Sequence, residues 1–172
     1  MTRLFWINTA PNGRLALMAR PRGGDWLEDD IRALGYAGVD TLVSLLTPDE
    51  VAELDLGAEQ QLCAAAQIRF LSLPIRDRQT PPLNEATRAA VREIADLLAG
   101  GAAVAVHCRM GIGRASLVSA ATLALAGVPP DLAFAAIERA RGCPVPDTPE
   151  QRAWVAQFWQ RYGPAQRSRT NH

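Results

Sequence analysis

Ala102-Ala103-Val104-Ala105-Val106-His107-Cys108-Arg109-Met110-Gly111-Ile112-Gly113-Arg114 is the stretch on which the reading of this 172-residue chain turns. It opens with a short, wholly apolar run, the kind of strand that is buried on both faces in the middle of a parallel sheet. Two glycines then punctuate a loop. From Ala115 to Ala126 the chain is apolar on every face, which predicts a central buried helix. Strand, tight loop and helix in that order are the unit of an α/β fold.

The flanking sequence alternates in the same way. Leu4–Ile7 and Leu15–Met18 read as two opening strands, split by the Pro11-Asn12-Gly13 turn. Gly23-Gly24 precedes a helix with Leu27, Ile31 and Leu34 on one face. Val39–Leu46 reads as a buried strand. Thr47-Pro48-Asp49-Glu50 then carries an N-cap Thr, an early Pro and a Glu at the capping-box position. A helix over 57–66 and a strand over Ile68–Leu73 follow. Pro74–Pro82 is a loop, and a long amphipathic helix from Leu83 ends at Gly100-Gly101. Two helices, near Pro130–Ala140 and Pro149–Tyr162, finish the pattern. The expectation is an α/β domain over 1–165, with a mostly parallel central sheet flanked by helices on both faces, and a frayed tail over 166–172.

Composition narrows the function. With 48% hydrophobic and 21% charged residues the chain is an ordinary globular protein. Its 18 basic residues, all Arg, balance 18 acidic ones, which argues against bulk electrostatic binding to nucleic acid or an anionic membrane. An anionic ligand must then be held in a local pocket. Three cysteines without paired spacing suit a reducing compartment. No signal peptide or membrane-spanning run is visible, so a soluble, cytoplasmic protein is expected.

Cysteine followed six positions later by arginine is weak evidence alone, and Cys63, inside a predicted helix, and Arg69 share the spacing with no glycine between them. Context separates the two. Cys108 leaves a buried strand, Gly111 and Gly113 interrupt the loop, and Arg114 opens a helix; by chance this arises in roughly one chain in 10⁴ to 10⁵. A tight loop with its N–H groups turned inward cradles a phosphate-sized dianion and needs Gly where φ is positive. The dipole of the helix opening at Arg114 adds to that field. Arg114 can grip two phosphoryl oxygens at once. The same field favours the Cys108 thiolate, a nucleophile that needs no metal or other cofactor. The bland alternative, a buried Cys beside an ordinary turn, leaves the glycines and the Arg unexplained.

His107–Arg114 resembles the signature loop of the cysteine-based protein tyrosine phosphatases, and the chain's length resembles their compact dual-specificity and kinase-associated branch. Trp26–Ile31 with Gly38–Thr47 is similar to that branch's early helix and strand, and Pro74-Ile75-Arg76-Asp77 to its general-acid loop. The resemblance implies a phosphocysteine intermediate with Cys108 as nucleophile, Arg114 as phosphate ligand, and Asp77 as acid and then base. Arg109, Met110, Gly111, Ile112, Gly113 and Arg114 would line the phosphate. His107 would hold the loop, and Gln151 would position the attacking water, although Thr148-Pro149-Glu150-Gln151 also reads as a capping box. Arg76 and Arg78 are expected to stabilise the Asp77 carboxylate, giving best activity below neutral pH. Cys63 would either be a core residue or form a protective disulfide with Cys108; Cys143 has no assigned role.

The chain departs from the family pattern at Ala115, where a Ser or Thr hydroxyl ordinarily helps the thiolate leave. Ser116, turned by about 100°, is a poor substitute. A slow second step is therefore expected. The expected substrate is a phosphorylated protein or peptide handled by a monomer. A phosphate-binding module without turnover, and the same chemistry on a phosphoinositide, are the alternatives. Arg20, Arg22 and Trp26 are placed by element order at the rim.

Overall fold

A computed structural model describes residues 2–8 and 12–164. Strands β1 (Phe5–Ile7), β2 (Arg14–Ala19), β3 (Thr41–Ser44), β4 (Arg69–Ser72) and β5 (Ala103–Cys108) form one sheet in the order β1-β2-β5-β3-β4. β1 lies antiparallel on β2 at one edge, and the other pairings are parallel. All six residues of β5 are buried, as the apolar run at its start requires of a strand covered on both faces.

Among the described residues, seven α-helices cover the sheet: α1 (Leu27–Tyr36), α2 (Pro48–Glu53), α3 (Glu59–Ala65), α4 (Glu85–Ala99), α5 (Gly113–Leu125), α6 (Pro130–Arg141) and α7 (Pro149–Tyr162). Alternation along the strands divides the core. Leu15, Leu17, Val43, Val104, Val106 and Cys108 meet α4 to α7, whereas Met18, Leu42 and Ala105 meet Leu27, Ile31 and Leu34 of α1 and Cys63 of α3. α5 is buried along all 13 residues. It contacts α4, α6, α7, β2 and β5, which accounts for the lack of a polar face in its sequence.

The capping box before α2 forms as read: Thr47 accepts from the Glu50 N–H, and the Glu50 carboxylate accepts from the Thr47 N–H. β3 is shorter than the expected Val39–Leu46. Val39 instead closes α1, its N–H donating to the Leu34 carbonyl, while Leu46 donates to Ser44 Oγ on the way to α2. Pro11 of the expected turn and the tail over 166–172 lie outside the described residues. Among the described residues no helix is long and apolar enough to cross a membrane.

Candidate active site

β5 ends at Cys108 and α5 begins at Gly113, so residues 109–112 must turn the chain from the middle of the sheet into the helix. Four successive carbonyls in this turn have donors. His107 Nδ1 lies 3.3 Å from the Cys108 oxygen. The Arg20 N–H reaches the Arg109 oxygen at 3.2 Å. Arg141 donates through Nη2 to Met110 and through Nε to Gly111, each at 3.1 Å. In a trans peptide the N–H points opposite to the carbonyl. The N–H groups of Arg109, Met110, Gly111 and Ile112 are therefore turned away from those donors, and among the described residues none has a hydrogen-bond partner. The N-cap Ile112 offers α5 no side-chain acceptor, so the first-turn N–H groups of that helix join the same open set. The result is a set of open backbone donors with Cys108 at its base, an arrangement that can hold an anion.

Gly111 is required twice over. Its φ is +71°, and a Cβ there would lie 2.5 Å from the Met18 backbone. A Cβ on Gly113 would run into the Asp147 carboxylate. Met110 is exposed, and Arg109 points away to Glu50 and Glu53 at 3.4 and 3.1 Å, so its side chain is turned toward α2.

Arg114, only 1% exposed, is held by a partner that sequence reading took for a capping residue alone. Glu50 binds it end-on, Oε2 to Nη1 at 2.7 Å and Oε1 to Nη2 at 2.9 Å, and the Ile75 carbonyl takes Nη1 at 2.9 Å. Burial works against the Glu50 charge, but Arg114, the Thr47 N–H and Arg109 outweigh it and pull its pKa from an ordinary 4.5 down to about 2. Burial likewise opposes the Arg114 charge; Glu50, Cys108 and Asp77 more than offset it, and its pKa is raised. Asp77 Oδ1 rests 3.2 Å from Nη2. Nε stays without a hydrogen bond among the described residues. A phosphoryl group gripping Arg114 side-on would take Nε together with the position Asp77 holds.

Asp77 is thus brought to the site, but by Arg114. The expected pairing with Arg76 or Arg78 does not form: all three side chains are exposed on a turn in which Arg78 has φ +60°. His107 is fully buried, its Nε2 2.6 Å from Oε1 of Glu59 on α3, a partner with no local sequence signal. Gln151 combines both of its readings only in part. Its N–H is capped by Thr148, but its side-chain oxygen accepts from the Asp147 N–H, and its amide donates to the Gln79 carbonyl beside Asp77. It ties α7 to the Asp77 loop. Cys63 lies on the other face of the sheet from Cys108 and is a core residue. At the rim, Arg20 reaches the loop by its backbone, and Arg22 is locked to Asp30 and stacked 4.8 Å over Trp26.

A cysteine at a strand end, a backbone anion cradle, a buried arginine and a loop aspartate on one doubly covered sheet define a cysteine-dependent phosphatase of the tyrosine and dual-specificity class. Comparison with known proteins agrees. The chain belongs to the family described as "Polymorphic toxin system, DSP-PTPase phosphatase", which matches residues 16–128. Kinase-associated phosphatase, solved with a serine for its catalytic cysteine, is 20% identical with a TM-score of 0.83, covering 94% of this chain and 96% of that one. PTPMT1 in complex with PI(5)P is 21% identical, TM-score 0.75, covering 95% and 99%. Tk-PTP in its active form is 24% identical, TM-score 0.73, covering 90% and 97%. No curated protein matches the sequence at a significant level.

Proposed function

We propose that this chain hydrolyses phosphomonoesters of proteins or peptides, phosphotyrosine foremost, through a phosphocysteine on Cys108. The observation that carries this reading is the run of unpartnered loop N–H groups between Cys108 and the buried Arg114. The substrate phosphoryl group enters that cradle, takes Nε and Nη2 of Arg114, and releases Asp77 from its ion pair. The Cys108 thiolate then attacks phosphorus and forms the S–P bond as the P–O bond to the leaving group breaks; Asp77, which takes up a proton from solvent once it is freed from Arg114, passes that proton to the departing oxygen. In the second half, Asp77 takes a proton from water, whose oxygen attacks phosphorus, and the S–P bond breaks to return the thiolate. The cradle stabilises the equatorial oxygens in both transition states. Three unpaired thiols suit work in a reducing cytoplasm.

Hydrolysis of p-nitrophenyl phosphate by the native protein, Cys108→Ser and Asp77→Asn tests the assignment. Cys108→Ser should be inert, and Asp77→Asn should lose roughly 10²- to 10³-fold in kcat. A second reading, phosphate binding without turnover, draws on Ala115. A native protein that hydrolyses nothing yet is stabilised thermally by tungstate would favour it.

A further inference from the structure

The geometry points to Arg141 as a positioning residue: its guanidinium fork, backed by the ring of Phe5, holds the Met110 and Gly111 carbonyls outward so that the next two N–H groups face the phosphate. This deepens the phosphatase reading above and rests on it. Arg141 is the last residue of α6, which ends at the left-handed Gly142. From there its Nη2 and Nε reach two consecutive loop carbonyls, both at 3.1 Å. The back of the guanidinium lies 4.1 Å from the Phe5 ring centroid. β1 and α6 touch each other directly, so the edge strand and the sixth helix meet through this side chain.

The consequence follows from peptide geometry. A free glycine-containing loop can rotate its peptide planes at little cost, and each rotation replaces an inward N–H with an inward carbonyl dipole that repels the anion. Cys108 and Arg109 have other outside donors, in His107 and the Arg20 N–H. Met110 and Gly111 have Arg141. Two adjacent carbonyls require a planar fork, which a lysine cannot copy.

Arg141→Met and Arg141→Lys test this, with Arg32→Met in a surface ion pair as control. Calorimetry would read tungstate affinity, NMR the Gly111 and Ile112 amides, and p-nitrophenyl phosphate the turnover. Arg141→Met should weaken tungstate binding and kcat/KM by roughly 10- to 100-fold and shift both amide signals, with Arg141→Lys recovering only part of the loss. Tungstate binding within twofold of native with unmoved amides in Arg141→Met would overturn the proposal. So would full recovery by Arg141→Lys, which would assign the effect to charge alone and also decides the matter if Arg141→Met does not fold. A native protein that binds tungstate but hydrolyses nothing sinks the phosphatase reading and leaves the binding arm to judge Arg141.

Discussion

Two segments of this molecule carry cysteine and arginine at the same spacing, and only one has the geometry of the proposed site. Cys63 lies in α3 and Arg69 in β4, so the order is helix, turn, strand. The thiol sits near the carbonyl end of its helix, where burial, and then the Glu59 charge, push its pKa up to about 12. Arg69 faces solvent and pairs with Glu93 at 3.7 Å. Cys108 and Arg114 have the reverse order of strand, loop, helix, which turns the N–H end of α5 toward the thiol and buries the arginine beside it. The direction in which the chain crosses the turn, rather than the spacing, decides whether the backbone offers donors or acceptors to the sulfur.

The largest effect that can break this contrast is covalent. Iodoacetamide at neutral pH should label Cys108 and spare Cys63, as read by peptide mass spectrometry. Cys108→Ser should lower turnover by at least about 10⁴-fold. Cys63→Ser should keep turnover within about threefold and lower stability by roughly 1–3 kcal/mol, since it places a hydroxyl in an apolar layer. Equal labelling of the two thiols would dissolve the distinction.

The arginines differ as well, and Glu50 is the lever. Glu50→Gln removes the buried partner of Arg114 and should cost about 3 kcal/mol at neutral pH. The folded pKa lies below the ordinary 4.5, so the stabilisation is full above pH 4.5 and disappears as the pH falls toward about 2. Urea denaturation of native and variant protein across that range should show the two curves converging at the acid end. A constant gap would mean that the pair contributes no charge-dependent stability. Removing Glu93 from the exposed Arg69 pair should cost no more than about 1 kcal/mol.

What the sequence made legible follows the range over which each signal acts. The order of strands and helices, the Thr47 cap and the Cys108–Arg114 loop rest on residues close together in the chain and are found where expected, except that β3 is shorter at both ends than the apolar run Val39–Leu46. Glu50 was legible only in part. Its capping role is three residues long, whereas its grip on Arg114 joins positions 64 apart across the sheet. Glu59 on His107 and Arg141 on the loop are likewise products of the sheet order, with no periodicity or motif to announce them. Asp77 was placed in the correct loop but given the wrong partners. Proximity in sequence favoured Arg76 and Arg78, while the fold carries the carboxylate to Arg114.

The smallest expected effect concerns the position after Arg114. Ala115 is fully buried in the first turn of α5 and belongs to the same core cluster as Cys108. Ser116, its neighbour, is turned elsewhere: its Oγ is buried without a hydrogen-bond partner. The Cys108 sulfur therefore receives no hydroxyl hydrogen bond from either residue, and on the proposed mechanism breaking the S–P bond should limit turnover. Stopped-flow hydrolysis of p-nitrophenyl phosphate should show a burst of nitrophenol in the native protein. Ala115→Ser supplies a donor to the departing thiolate, and a charge-assisted hydrogen bond there is worth roughly ten-fold in rate. The variant should raise kcat three- to tenfold by such reasoning and shrink the burst. If the native protein shows no burst, the first step limits already, and the missing hydroxyl matters less than the hold that Asp77 keeps on Arg114, which every incoming phosphate must break.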